Sequence, residues 1–246
     1  YVRLPAGILM LPLVTFGIPC YRGEGLLQAC LKSIRAQQGV TAPCETIICD
    51  DGSPPESATK LEELSREFGA KYLRLPKNRG CPAAYNQILA EATGTLAVVL
   101  LDNDVRLPPN WLASAIELMH AMPNVGVLSW ISHQPGENPP SGRPLLEPAT
   151  DLAGYCYMLS KAKWIAMGRF DESMRHCRND SDMCVRLGLA GFPSFRVHYP
   201  PVEHLEHATT GPMRVELGVD IAEDVRKFDA KWAVTSSGEA EGRVLQ

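Results

Sequence analysis

Apolar runs that end at proline, glycine or aspartate alternate with amphipathic segments through the N-terminal part of the chain. The first run, in "ILMLPLVTFGIPCY", predicts a strand, and "GEGLLQACLKSIRAQQ" repeats apolar residues at the spacing of one helix face. The same pairing recurs until "TLAVVLLDND", the fourth predicted strand. Because alternating strands and helices form a parallel sheet covered on both faces, we expect ligands to bind beyond the carboxyl ends of these strands.

The pattern changes after Asp104. It predicts helices in "PPNWLASAIELMHAMP", "DSDMCVRLGLAGF" and "DIAEDVRKFDAKWA", strands in "NVGVLSWIS" and "SFRVHYPPVEHLEHATT", and a strand with a short helix in "DLAGYCYMLSKAKWIAMGRFDE". Residues 133–150 are rich in Pro and Gly, and we expect a mobile loop that orders over substrate. The polar residues 234–246 are expected to form a disordered tail.

The composition excludes some classes of protein. A chain of 246 residues suffices for one large α/β domain or two small ones. Its net charge of −4 and pI of about 5.9 argue against a nucleic-acid partner. No apolar run is long enough to span a membrane, and no signal-peptide pattern is present. The eight cysteines include no C-x-x-C pair, so we expect reduced thiols in a cytoplasmic protein, with peripheral attachment to a membrane as an alternative.

Asp102 and Asp104 are separated by one residue at the end of the fourth predicted strand. In an extended segment both side chains point to the same face. Burying two carboxylates together is unfavourable unless a cation compensates their charge, and a divalent cation shared with a phosphorylated ligand suits such a pair. The alternative is a polar turn that ends the strand.

Two further acidic motifs allow a functional and a local interpretation. In "CDDGS", Asp51 can accept hydrogen bonds from the nucleobase or ribose of a nucleotide, and Gly52 permits close approach of the backbone. The local alternative is a turn that caps the next helix. Asp180 and Asp182 lie at the start of a predicted helix, where the helix dipole favours carboxylates. The functional alternative for this pair is a general base that points into the cleft.

His204 follows the last predicted strand, so it can point to the same end of the cleft as the aspartates. His204 and His207 have the spacing H-x-x-H, but neither a nearby cysteine pair nor an H-E-x-x-H motif accompanies them. A structural zinc site is therefore disfavoured.

The polar motifs, taken in chain order, form a more specific set than any one of them. They are the "P-x-Y" turn of Pro19 and Tyr21, "DDGS" (50–53), "NRG" (78–80), "DND" (102–104), "GRFDE" (168–172), "NDSDMCVRLGLAGF" (179–192) and a closing "KFDAKWA". This set, over about residues 12–233, resembles the inverting family 2 glycosyltransferases of the GT-A fold.

The resemblance implies an α/β fold: one GT-A domain over 1–246, with a mostly parallel, twisted sheet flanked by helices on both faces. A Rossmann-like half that binds the nucleotide sugar would occupy about 12–105, and a half that binds the acceptor would occupy about 106–233. The resemblance also implies roles for individual residues. Pro19, Tyr21, Asp51, Arg79 and Gly80 would line the nucleotide pocket, Asp102 would contact the ribose and metal region, Asp104 and His204 would hold Mn²⁺ or Mg²⁺, and Asp180 would be the catalytic base.

The implied reaction transfers a sugar from a nucleoside-diphosphate sugar, with UDP- and dTDP-sugars favoured, to a hydroxyl of a glycan, lipid-linked or small-molecule acceptor.

The chain departs from the family at Asn179, where the family usually has Glu, so Asp182 stays an alternative base to Asp180. Two other classes stay open. A nucleotidyltransferase would need a basic Gly-rich loop, which "FGIPCYRGEG" matches poorly, and an inactive domain would bind the nucleotide sugar only.

Overall fold

A computed structural model describes residues 13–136, 145–205, 217–218 and 220–233. The described strands are β1 (Val14–Cys20), β2 (Cys44–Asp50), β3 (Lys71–Arg74), β4 (Ala97–Leu101), β5 (Val105–Arg106), β6 (Val127–His133), β7 (Leu146–Pro148), β8 (Cys156–Leu159) and β9 (Phe195–His204). The described helices are α1 (Glu24–Arg35), α2 (Pro55–Phe68), α3 (Cys81–Glu91), α4 (Trp111–Ala121), α5 (Lys161–Ala166), α6 (Asn179–Leu189) and α7 (Ile221–Lys231).

All described strands belong to one sheet, in the order β3-β2-β1-β4-β8-β6-β9-β5, with β7 paired to β9. The strands β1 to β4 run parallel to one another, as the alternation with helices predicts. Beyond them the sheet is mixed: β8 is antiparallel to β4 and β6, β6 is parallel to β9, and β5 and β7 are antiparallel to β9. The predicted α/β class is confirmed; the sheet is wholly parallel from β1 to β4, and beyond them, among the described strands, only β6 and β9 pair in parallel.

Alternating residues of β4 pack on opposite faces of the sheet, which explains the uninterrupted apolar run. Ala97, Val99 and Leu101 belong to one apolar cluster. Val98 and Leu100 belong to a second cluster on the other face. Helices cover both faces, as expected for such a strand. Close packing of α3 also requires Gly17 in β1, because a Cβ there would clash with Cγ2 of Ile88.

The fold corrects one sequence prediction, and other predictions concern residues that the structure does not describe. A short strand, β7, lies inside the predicted loop 133–150, and the rest of that loop falls partly outside the described residues. His207 and the predicted tail 234–246 also lie outside them. All eight cysteines are free thiols, as predicted. None of the described helices is long and apolar enough to cross a bilayer. The division into halves at residues 105 and 106 stays a prediction.

Candidate active site

A tight turn after β4 brings Asp102 and Asp104 together. The carbonyl of Asp102 accepts a hydrogen bond from the backbone N–H of Val105, 3.2 Å away, so the segment turns and the expectation of an extended segment is wrong. The Asp102 N–H in turn donates to the carbonyl of Tyr155 at 2.9 Å. The turn thus achieves the convergence that the sequence pattern predicted, although by a different backbone geometry.

His204 reaches the same place from the last residue of β9. The two-residue strand β5 pairs Val105 with His204, which sets the imidazole beside the turn. The Nε2 atom of His204 lies 3.3 Å from Oδ1 of Asp104. The ring of Tyr155 stacks on the imidazole, with centroids 4.4 Å apart. Long-range strand pairing, which is invisible in the local sequence, therefore places this histidine.

The donor set of this cluster fits a divalent cation. One ligand atom from each of Asp102, Asp104 and His204 lies within 4.8 Å of the other two. Burial and then the charge of Asp104 raise the pKa of Asp102 to about 7, so the cluster favours added positive charge. Carboxylate oxygens with one imidazole nitrogen suit Mn²⁺. The metal role of Asp104 and His204 nevertheless stays a prediction.

Asp180 lies in the first turn of α6. Burial raises the pKa of its carboxyl group, and the nearby charge of Asp151 adds to the rise, while the Ser181 backbone N–H and the Tyr157 side chain oppose it. The negative charge of Asp180 also contributes to the raised pKa of Asp102, so both carboxylates belong to one electrostatic site. A carboxylate with a raised pKa in a cleft is suited to accept a proton from a hydroxyl group.

A glycine makes room for this carboxylate. A Cβ atom at Gly154 would lie 3.3 Å from Oδ2 of Asp180 and 3.0 Å from the hydroxyl of Tyr157. Both distances are tighter than ordinary van der Waals contact, so a side chain here would displace the two groups. Asn179, the residue before Asp180, is buried at the start of α6.

Asp182, which lies in the first turn of α6, forms buried ion pairs in addition to its favourable position in the helix dipole. Its side chain is fully buried and lies 2.8 Å from Nη2 of Arg186 and 2.8 Å from Nζ of Lys231. The indole N–H of Trp232 donates to the same carboxylate at 2.9 Å. The cap position belongs to Arg178. Asp182 therefore joins α6 to α7, and this environment favours Asp180 as the base.

Replacing Asp182 with asparagine is expected to lower the free energy of unfolding by about 3 kcal/mol, because two cations lose a buried anionic partner. Equilibrium unfolding in urea measures the loss. The control is Asp220→Ala, which removes an exposed cap of α7 and should cost about 1 kcal/mol. Equal losses for the two variants would contradict a structural role of the Asp182 ion pairs.

The predicted nucleotide-binding residues gather at the ends of β1 and β2. Asp51 accepts hydrogen bonds from the backbone N–H groups of Arg79 at 2.7 Å and Gly80 at 2.8 Å. Burial raises the pKa of Asp51 to about 6, although these two N–H groups act against the rise. Pro19 is buried in β1 and pairs with Cys49 of β2, and Tyr21 follows the end of β1. Their contacts with a nucleotide stay predictions.

The loop before α3 is held at two points. Gly80 has a φ of 90°, and a Cβ there would meet the carbonyl oxygen of Arg175 at 2.5 Å, so this position requires glycine. The guanidinium of Arg79 donates to a carboxylate oxygen of Glu172, whose other oxygen accepts a hydrogen bond from Asn86 at 2.9 Å. The motifs "NRG" and "GRFDE" are therefore in direct contact.

Three aromatic residues of this site were missed by sequence reasoning. Tyr155 stacks on His204, Tyr157 lies beside Asp180, and the hydroxyl of Tyr85 donates to Oδ1 of Asp102 at 3.2 Å. The two tyrosines of "GYCYML" were the available signal for the first two, although Tyr155 packs against one apolar cluster and Tyr157 belongs to the other. The local sequence offered no comparable signal for Tyr85, which lies in α3.

The sheet and its acidic edge define the chain as a GT-A type domain. Known proteins resemble it in fold and, over part of the chain, in sequence. Residues 15–185 match the model of glycosyl transferase family 2. A dolichol-phosphate mannosyltransferase of Pyrococcus furiosus is 29% identical over 139 residues, which are 56% of this chain and 39% of that protein. The chain belongs to glycosyl transferase family 2.

Two solved structures share the fold at lower identity. The mannosyltransferase PcManGT from Pyrobaculum calidifontis, in complex with GDP-Man and Mn²⁺, has a TM-score of 0.67 and 17% identity over 93% of this chain. GalNAc-T7 with UDP, GalNAc and Mn²⁺ has a TM-score of 0.72 and 14% identity over 91% of this chain. This chain spans 66% of the first structure and 49% of the second.

Proposed function

We propose that this chain catalyses the metal-dependent transfer of a sugar from a nucleoside-diphosphate sugar to an acceptor hydroxyl, with inversion at the anomeric carbon. The observation that carries the proposal is the convergence of Asp102, Asp104 and His204 within 4.8 Å at the sheet edge. Asp180 lies close enough to this cluster for its charge to raise the pKa of Asp102. One site therefore combines candidate metal ligands with a candidate base.

In the proposed reaction, Asp180 accepts the proton of the acceptor hydroxyl as the acceptor oxygen bonds to the anomeric carbon. The bond between that carbon and the diphosphate oxygen breaks in the same displacement, so the configuration inverts. The carboxylate of Asp180 must be deprotonated to act, and its partial burial beside Tyr157 keeps it oriented. No covalent intermediate with the protein is needed.

Mn²⁺ or Mg²⁺, held by Asp104 and His204 with Asp102 beside them, would neutralise the negative charge that develops on the leaving diphosphate. The chain's own residues supply the rest of the proposed donor site. Asp51 fixes the "NRG" loop through two backbone hydrogen bonds, which would shape the proposed nucleotide pocket at the ends of β1 and β2. Pro19, Tyr21, Arg79 and Gly80 would surround the nucleotide there.

Three similar proteins guide the choice of donor and acceptor. PcManGT was solved with GDP-Man and GalNAc-T7 with UDP, so both GDP- and UDP-sugars deserve testing beside the dTDP-sugars. The Pyrococcus relative is named for dolichol phosphate, which supports lipid-linked acceptors as a class and a peripheral position at a membrane. Glycans and small molecules are the other acceptor classes that we propose to test.

Binding and donor hydrolysis test the proposal directly. We expect one nucleotide sugar from a panel of GDP-, UDP- and dTDP-sugars to raise the melting temperature in the presence of Mn²⁺ and much less with EDTA. The same donor should be hydrolysed slowly in the presence of Mn²⁺ and transferred when an acceptor is supplied. Nuclear magnetic resonance of the product then reports the anomeric configuration.

Each alternative predicts a different result. Donor binding without hydrolysis or transfer, over the whole acceptor panel, would favour an inactive nucleotide-sugar-binding domain. Formation of pyrophosphate from a nucleoside triphosphate and a sugar phosphate would favour a nucleotidyltransferase. A product that retains the donor's anomeric configuration would contradict the single displacement.

A further inference from the structure

The segment from Asp171 to Asp182, here called the base segment, carries Asp180 and is attached to α7 along its length. The Nζ atom of Lys227 donates to the carbonyl of Ser173 at 2.8 Å. The Nζ atom of Lys231 lies 2.8 Å from Oδ2 of Asp171 and 2.8 Å from Oδ1 of Asp182. The helix α7 thus contacts both ends of the segment that presents the proposed base.

The central attachment is a buried carboxylate. Oδ2 of Asp224 accepts hydrogen bonds from two consecutive backbone N–H groups, those of His176 at 2.7 Å and Cys177 at 3.1 Å. Asp224 is 3% exposed and is the buried residue that α7 contributes to the fold. The apolar residues Ile221, Val225 and Phe228 of α7 are only partly buried, so its fully buried contact is this carboxylate.

The two N–H groups precede an unusual backbone conformation. Arg178 has a φ of 62°, in the left-handed region that residues other than glycine rarely adopt, and α6 begins at the next residue. Such a conformation is strained and persists where surrounding contacts impose it. Asp224 fixes the two peptide groups before this turn, so it determines the direction in which α6 and Asp180 leave it.

We propose that Asp224 is a positioning residue for the base Asp180, acting through the backbone of His176 and Cys177. The inference rests on the proposed function, because it assigns Asp224 a role in presenting the base of that reaction. Asp224 is proposed to touch neither substrate nor metal. Its effect is on the orientation of the first turn of α6, and a small misplacement of a catalytic group lowers the rate far more than it lowers binding.

Replacements at Asp224 separate position from charge. Both hydrogen bonds end on a single oxygen, so Asp224→Asn keeps an acceptor at the same place, whereas Asp224→Ala removes it. We expect kcat for transfer to fall by about tenfold or more in Asp224→Ala and by less than about threefold in Asp224→Asn. The Kd for the nucleotide with Mn²⁺, measured by calorimetry, should stay near the wild-type value in both variants.

Asp220→Ala is the matched control. Asp220 caps the same helix by accepting a hydrogen bond from the Glu223 N–H at 3.0 Å and is exposed. Its removal weakens α7 without removing the acceptor for His176 and Cys177, so kcat should stay near wild type. If Asp224→Ala does not fold, Asp224→Glu replaces it: a longer side chain keeps the charge but displaces the oxygen, and its kcat should lie below that of Asp224→Asn.

A kcat near wild type in Asp224→Ala, or in Asp224→Glu where the alanine variant does not fold, would overturn the positioning role. A fall in nucleotide affinity that accounts for the whole loss of activity would also overturn it, because this is what a merely structural role produces. Failure of the proposed function is a separate outcome, in which the wild-type protein transfers no sugar. Either of the first two results, obtained with a wild-type protein that transfers sugar, contradicts this inference and leaves the proposed function intact.

Discussion

Replacing Asp180 with asparagine is expected to lower kcat for sugar transfer by about 10²–10⁴-fold, the usual contribution of a general base. The amide cannot accept the proton of the acceptor hydroxyl. Nucleotide-sugar binding should stay close to wild type, because the base acts on the acceptor in the transition state and contacts the donor little. Steady-state transfer kinetics and calorimetry with the donor and Mn²⁺ measure the two quantities.

The pH profile gives a second readout of the same residue. Because burial raises the pKa of Asp180, the carboxyl group stays protonated to a higher pH than an ordinary aspartic acid. Activity should therefore fall as the pH is lowered through this raised pKa, and the acidic limb should lie above the usual range for aspartic acid. The residual activity of Asp180→Asn should lack that limb.

Asp182→Asn decides between the two candidate bases. Its carboxylate is occupied by Arg186, Lys231 and Trp232, so the variant should lose stability and keep a far higher kcat than Asp180→Asn under conditions in which both are folded. The opposite ranking, with near-normal transfer by Asp180→Asn and none by Asp182→Asn, would assign the base to Asp182.

The second large effect is expected at the candidate metal site. Asp104→Asn should weaken Mn²⁺-dependent binding of the nucleoside diphosphate by about 100-fold or more, since loss even of an indirect partner of a metal ligand commonly costs 10–100-fold. His204→Ala should act in the same direction, because its Nε2 lies 3.3 Å from Asp104. Calorimetric titration with the nucleoside diphosphate, with Mn²⁺ and with EDTA, measures the metal-dependent part.

The control for the metal site is His133→Ala. His133 ends the neighbouring strand β6, and its Nδ1 lies 3.1 Å from the carbonyl of Gln134, outside the group of Asp102, Asp104 and His204. The His133→Ala variant should leave the Mn²⁺ dependence of nucleoside-diphosphate binding unchanged. Unchanged Mn²⁺-dependent affinity in Asp104→Asn would show that the metal assignment is wrong, whatever the result at His204.

Much of the fold followed from local patterns. The periods of apolar residues predicted the strands β1 to β4 and the helices between them, because side-chain burial repeats every two residues in a strand and about every 3.6 in a helix. The same patterns placed Asp51, Asp102 and Asp180 at element ends. Asp51 and Asp102 follow parallel strands directly, so their place at the carboxyl edge of the sheet could be expected.

Other features depended on chain segments far apart in sequence. The direction of β8 and the two-residue strand β5, which pairs Val105 with His204, have no local signature, because apolar periodicity reports burial and not the identity of the partner strand. The partners of Asp182 could not be predicted locally either. Its cationic and indole partners Lys231 and Trp232 lie in or after α7, about fifty residues later, where only tertiary contact reveals them.

The sequence by itself determined which side chains can do chemistry and at which ends of elements they lie, since both depend on residue type and on local burial. Only the tertiary structure decided which carboxylates share a site and which neutralise structural cations. Asp102, Asp104 and His204 converge because a turn and a long-range strand pairing bring their atoms within reach. Asp224 holds the segment before Asp180 because α7 packs there, and electrostatic and hydrogen-bond energies depend on those distances in space, whatever the separation along the chain.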